Sequence, residues 1–159
     1  MNGFGNLRHI LANMMGSFHA PRSASAESAP TVLIVGDPDA AHVAASPDWR
    51  LLFASTLADA RRLLENSEIP IVVYDREAPG IDWRLAIPAL AGTGSRPRVV
   101  LLTRTQDSQL WEQVTAAGGY DVIRKPVSAE KLCRAIRAGV SHWRSSRALE
   151  ADRPRADVR

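Results

Sequence analysis

The sequence predicts an α/β domain built on a five-stranded parallel sheet with helices on both faces. Short runs of aliphatic and β-branched residues recur at 31–35, 50–54, 69–75, 98–102 and 122–123, and most show no polar alternation, as expected of strands buried on both sides. Segments with apolar residues at helical spacing separate them. Polar residues close four of the runs: Asp37, Asp75, Thr103 and Lys125. With 159 residues, 45% of them hydrophobic, the chain supports one domain with a real core.

Residues 1–30 carry Arg8, Arg22 and one acid, Glu27, with an apolar stripe at Phe4, Leu7, Ile10, Leu11, Met14, Met15 and Phe18. This reads as one short amphipathic helix followed by an Ala-, Ser- and Pro-rich flexible linker, a docking or self-association element or else an inert tail. The domain proper spans 31–147. TVLIV at 31–35 is the first strand, closed by Gly36, Asp37 and Pro38. Residues 39–45 allow barely two helical turns before Ser46, Pro47 and Asp48. RLLFA at 50–54 is the second strand, and Ser55 or Thr56 caps a helix carrying Leu57, Ala60, Leu63 and Leu64.

The central strand runs from Ile69 to the carboxylate of Asp75, and a turn with Pro79 and Gly80 follows. In open α/β sheets ligands sit beyond the strand carboxyl ends, so Asp75 occupies a functional position. An Asp there serves equally well to cap the next helix. Residues 83–90 are helical in pattern, with Pro88 expected to kink or shorten the helix. RVVLL at 98–102 is the fourth strand; Leu110, Val114 and Ala117 line the next helix, which Gly118 and Gly119 close. Val122 and Ile123 form the fifth strand, and Ser128 caps a last helix with Leu132, Ile136, Val140 and Trp143 inward. Residues 148–159 lack apolar periodicity and read as a disordered tail.

Net charge is only +3, so composition does not call for nucleic acid. No apolar stretch reaches the about 18 residues of a membrane span. The single Cys133 forms no internal disulfide, sits in a helical apolar pattern as a small buried packing residue, and fits a reduced, cytoplasmic setting.

In a parallel sheet, Asp37, Asp75, Thr103 and Lys125 converge at one edge. Two close carboxylates repel unless a hard cation lies between them, and Mg2+ takes one or two carboxylates plus waters and a phosphate oxygen. With a hydroxyl and an ammonium beside them, the set suits phosphoryl chemistry, in which a carboxylate is nucleophile. Only Lys125 and Lys131 among the 20 basic residues are Lys, so a Lys at this edge points to a need for a compact ammonium. Pro126 after it invites a cis peptide.

Asp75 with the following REAPGID, Leu101-Leu102-Thr103, Ala117-Gly118 and Lys125-Pro126, in that order, resemble the receiver domain of bacterial two-component response regulators. The resemblance covers roughly residues 31–145 and implies a flavodoxin-like, CheY-like sheet of order 2-1-3-4-5. It implies that Asp75 accepts phosphate from a histidine kinase or phosphotransfer protein. It also implies that Asp37, Asp75 and the backbone carbonyl of Glu77 bind Mg2+, and that Thr103 and Lys125 contact the phosphoryl group. Such a domain turns over no separate substrate.

The chain departs from the family pattern in places. Gly36 stands where the family has the first of two adjacent acids, which weakens Mg2+ binding; Asp39 is a candidate substitute. Arg104 replaces a small residue and either crowds the phosphodonor or contacts the phosphate. Val122 holds the position of an aromatic switch, with Tyr120 two residues earlier on the same face by strand alternation. The first helix, a usual kinase-docking element, is short.

Three readings compete: a phosphorylatable receiver, a phosphorylation-independent pseudo-receiver acting as an interaction module, and an ordinary flavodoxin-like domain with polar caps. No GxGxxG follows Val35 and there is no P-loop. Only about 14 residues follow Ser145, so a stand-alone receiver is expected, signalling through an unknown output protein or a second copy. The fourth and fifth helices offer Trp111 and the stripe Arg134, Arg137, Ser141 and Arg144 for an acidic partner; a solvated helix face is the alternative.

Overall fold

The computed structural model describes residues 29–80, 82–105 and 107–153. The expected amphipathic segment, but for Ala29 and Pro30, and residues 154–159 of the expected tail lie outside them. The elements are β1 (Thr31–Val35), α1 (Pro38–Val43), β2 (Arg50–Ala54), α2 (Leu57–Asn66), β3 (Ile71–Asp75), α3 (Trp83–Ala91), β4 (Arg98–Thr103), α4 (Leu110–Ala116), β5 (Asp121–Arg124) and α5 (Ala129–Ala151). All strands pair in parallel in the order β2-β1-β3-β4-β5, the order and the flavodoxin-like fold expected.

Strand alternation sorts the apolar residues into two cores. Leu33, Val35, Val72, Tyr74, Leu101 and Val122 face α2, α3 and α4, where Leu64, Ile87, Leu90 and Val114 meet them. Their alternates Val32, Ile34, Ile71, Val73, Val100, Leu102 and Ile123 face α1 and α5 and pack on Ala40, Leu132, Ile136 and Val140. Both faces of the inner strands are covered, so β1, β3 and β4 are nearly continuous apolar runs. Asp75 and Thr103 close β3 and β4 at the carboxyl edge, whereas Thr31 and Arg98 open β1 and β4 at the other. β3 lies between β1 and β4, so its carboxyl end opens where the strand order reverses.

Local signals act as their chemistry suggests. The hydroxyl of Thr56 accepts the Asp59 N–H, and that of Ser128 accepts the Lys131 N–H. Pro88 does not end α3, which runs three residues further to Ala91. Cys133 is half-buried, not buried, at the margin of the α1–α5 core.

Two expectations are corrected. Residues 148–151 were expected to begin the tail, yet α5 continues through Ala151. Polar contacts from distant segments hold this end: Trp143 Nε1 donates to the Ser95 carbonyl at 2.7 Å, Arg98 to Ser146 Oγ at 2.6 Å, and Arg96 pairs with Glu150 at 3.0 Å. None of these leaves an apolar period. Tyr120 also does not share a face with Val122. It precedes the first residue of β5, packs on the α1–α5 core and lies 5.6 Å from the His142 ring, whereas Val122 faces the opposite core.

Among the described residues, no helix is long and apolar enough to cross a membrane. Leu101 is fully buried whereas Leu149 is largely exposed. Leu101→Ala should therefore lower unfolding free energy by about 2–5 kcal/mol. Leu149→Ala should stay within about 0.5 kcal/mol, both read from urea denaturation midpoints.

Candidate functional site

The register of the sheet assembles the site. Asp75, the last residue of β3, lies opposite Leu102, and β4 extends one residue further to Thr103. Thr103 lies opposite Arg124, and its carbonyl accepts the Lys125 N–H at 2.8 Å, which carries Lys125 to the same edge. The Lys125-Pro126 peptide is cis, as expected. Asp37 follows β1 and fixes its direction by capping α1: Oδ1 accepts the N–H groups of Asp39 at 2.9 Å and Ala40 at 3.2 Å. Asp75 does not cap α3; Asp82 does that, accepting the Arg84 N–H at 2.9 Å. The capping alternative thus holds for Asp37 and fails for Asp75.

Lys125 Nζ is the hub. It donates to Asp75 Oδ1 at 2.6 Å, lies 2.9 Å from Glu77 Oε2, and stands 3.7 Å from Asp37 Oδ2. Asp75 is 6% exposed and Thr103 fully buried, so these contacts lie in a medium where charge is costly. Sequence reasoning assigned Glu77 only its carbonyl and missed its side chain. Glu77 Oε1 accepts the Arg104 backbone N–H at 2.8 Å and the Thr103 hydroxyl at 3.2 Å. No local signal announced this, because the donors come from β4, the segment after it and the end of β5.

One ammonium cannot neutralise two carboxylates equally. Burial raises the Asp75 carboxyl above its ordinary range, ahead of the opposing hydrogen bond from Lys125. For Glu77, burial works in the same direction. There the Arg104 N–H and Lys125 overcome it and hold the carboxyl down at about 2. Burial would lower Lys125, but Asp75 and Glu77 hold it above its usual value. Glu77 and Lys125 are therefore charged near neutral pH, and the buried Asp75 bears the electrostatic cost.

The oxygen donors of Asp37 and Asp75 are hard ligands of the kind Mg2+ takes, and the hydrogen bonds they accept fall on Oδ1 of each. The chemistry fits a cation held by two carboxylates and water; among the described residues no group of three ligating side chains is assembled. Gly36 accounts for the missing acid. Its φ is +88°, and a Cβ built on it would lie 2.4 Å from the Ala78 Cβ, so both backbone and neighbour exclude a side chain. Asp39 sits on α1 with its N–H turned to Asp37 and lines the same cleft as Asp37, Asp75 and Glu77. Arg104 lines the cleft with Asp37, Asp75, Glu77 and Lys125.

The proposed basic stripe is partly spent within the molecule. Arg137 pairs with Asp48 at 2.8 Å and lies over the Trp49 ring, and Arg134 pairs with Glu130 at 2.6 Å. Trp111 on α4 is half exposed.

A family model, the response regulator receiver domain, matches residues 41–137. No curated protein matches the chain. Several solved structures share the fold. A signal receiver domain of an HD domain-containing protein from Pseudomonas fluorescens is 21% identical, with a TM-score of 0.69 over 80% of this chain and 98% of that one. A CheY-like response regulator receiver domain protein from Methanospirillum hungatei is 17% identical, with a TM-score of 0.65 over 75% and 99%. A response regulator from Thermotoga maritima is 20% identical, with a TM-score of 0.62 over 70% and 98%.

Two outcomes are expected. Because folding raises the Asp75 pKa above 3.8, the folded chain binds that proton more tightly, and stability falls as pH rises through this window. Asp75→Asn should raise the Tm at about pH 7, and the gap should close below about pH 4, measured by thermal melts across pH. Gly36→Asp should cost about 1–3 kcal/mol through backbone strain, and Gly36→Ala a similar amount, by urea denaturation.

Proposed function

The chain belongs to the response regulator receiver domain family, and from that premise we propose that Asp75 is its phosphoacceptor in a phosphorelay. Receiver domains of this family work with kinases or phosphotransfer proteins and with output domains or proteins. The observation that carries the reading is the Lys125 ammonium, 2.6 Å from a buried Asp75 at the carboxyl end of the central strand.

In this reading a carboxylate oxygen of Asp75 attacks the phosphorus of a donor. Where the donor is a phosphohistidine, the P–N bond breaks, its electron pair stays on the imidazole, and an acyl phosphate forms on Asp75. Lys125 turns from the carboxylate to a phosphoryl oxygen, and Thr103 donates its hydroxyl to another. Asp37, Asp75 and the backbone carbonyl of Glu77 would hold Mg2+, which when bound neutralises charge on the phosphoryl oxygens. Gly36, in place of the family's first acid, weakens that binding.

Burial holds the Asp75 carboxyl above its ordinary value, and the hydrogen bond from Lys125 opposes this in favour of the nucleophilic carboxylate. Phosphorylation then shifts a two-state equilibrium at Thr103 and the α4–β5–α5 face, read by an output protein or a second copy of the chain. The half-exposed Trp111 lies on that face. A second reading, a pseudo-receiver acting by contact alone, draws support from Gly36, whose backbone admits no acid.

Incubation with Mg2+ and acetyl phosphate should add one phosphoryl group by intact mass. The adduct should be lost in Asp75→Ala and strongly reduced in Lys125→Ala. A wild-type chain that gains no mass with either a small phosphodonor or a phosphorylated phosphotransfer protein would favour the pseudo-receiver.

A further inference from the structure

Both oxygens of the Glu77 carboxylate are engaged. Oε1 takes the Arg104 N–H at 2.8 Å and the Thr103 hydroxyl at 3.2 Å, and Oε2 lies 2.9 Å from Lys125 Nζ. An ammonium, a hydroxyl and a backbone amide from three chain positions thus converge on one anion. Charge-assisted contacts of this kind are the strong ones, and their convergence is the geometry of an anion cradle. Lys125 and Thr103 are also the groups that a phosphoryl group on Asp75 requires. Glu77 is two residues from Asp75, and its own N–H donates to Asp75 Oδ1 at 3.2 Å, which holds the loop close.

We propose that the Glu77 carboxylate is a built-in occupant of the phosphoryl cradle, competing with any phosphate for Lys125, Thr103 and the Arg104 amide. The proposal rests on the phosphoacceptor reading for its consequence, but not for the occupancy itself. Glu77 keeps about a third of its side chain open to solvent, so it can rotate outward without unpacking the core. The Thr103 hydroxyl has a single proton, which Glu77 Oε1 at 3.2 Å shares with the Thr105 carbonyl at 2.8 Å, and Arg76 Nη1 reaches the same carbonyl at 3.1 Å. The β3–α3 segment therefore grips the β4–α4 segment through both Arg76 and Glu77. The unphosphorylated chain holds at Thr103 an arrangement that a phosphoryl group would otherwise impose, and phosphorylation substitutes one anion for another. A carboxylate in this cradle slows entry of the phosphoryl group and narrows the difference between the two signalling states.

The test uses the full chain as wild type, Glu77→Ala and Glu77→Gln, with two readouts. Acetyl phosphate with Mg2+ should phosphorylate Glu77→Ala about fivefold faster or more, the effect of removing at least one net charge-assisted hydrogen bond. Glu77→Gln, which retains an acceptor but no charge, should fall between. In 15N-resolved NMR spectra, the Arg104 amide of Glu77→Ala should lose its hydrogen-bonded shift and respond to inorganic phosphate at concentrations that leave the wild type unmoved. An Arg104 amide with the same shift in all three proteins overturns the occupancy. An altered amide with equal or slower phosphorylation and no response to inorganic phosphate overturns the competition. Asp75 unmodified in every variant, with the phosphate response present only in the Glu77 variants, upholds the inference and defeats the phosphoacceptor reading instead.

Discussion

The ammonium of Lys125 neutralises charge at the one place where the sheet would otherwise leave carboxylates facing each other. Asp37 arrives there from the segment after β1, Asp75 from the end of β3 and Glu77 from the segment after it, with oxygens 3.7, 2.6 and 2.9 Å from Nζ. Without a cation at their centre, three acids at a partly buried edge would repel and carry the full cost of lost hydration. A flexible, compact ammonium serves all three where a planar guanidinium would commit to one. In a chain that uses Arg for nearly all its positive charge, this position is one of only two Lys residues.

The fold makes that edge. Period-two alternation in β1, β3 and β4 divides the aliphatic residues between two cores, one under α2, α3 and α4 and one under α1 and α5. With both faces sealed, the carboxyl ends are the natural exit for polar groups, and the reversal of strand order between β1 and β3 opens a cleft there. Asp75 is thus held by the centre of the sheet, while its partners come from neighbouring strand ends and can move without disturbing the core.

The departures from the family pattern have structural causes. The family's first acid has no room at Gly36, because the positive φ and the nearby Ala78 Cβ both exclude a side chain. A carboxylate two residues after Asp75 enters the cleft from the other side. The cleft therefore holds Glu77 against Lys125 and has no side chain at Gly36. On the cationic face of α5 the exposed Arg137 is already paired with Asp48 and lies over the Trp49 ring, so it is less of a free basic surface than its spacing suggests.

Much of this was written in the chain in local form. Aliphatic runs at 31–35, 71–75 and 98–103, caps at Thr56 and Ser128, and the polar residues Asp37, Asp75, Thr103 and Lys125 determined the fold class, the sheet and the edge, because strand periodicity and capping act over a few residues. Tertiary structure alone decided what depends on distant partners. The C-terminal third of α5 is held by Ser95, Arg96 and Arg98, which lie about fifty positions away. Tyr120 falls on the α5 face because β5 begins one residue after it, a boundary that alternation cannot supply. Above all, Glu77 reads in sequence as a polar loop residue. Its entry into the cradle depends on an amide 27 positions away, at Arg104, and on the ammonium of Lys125. Those distances close only when the sheet has formed.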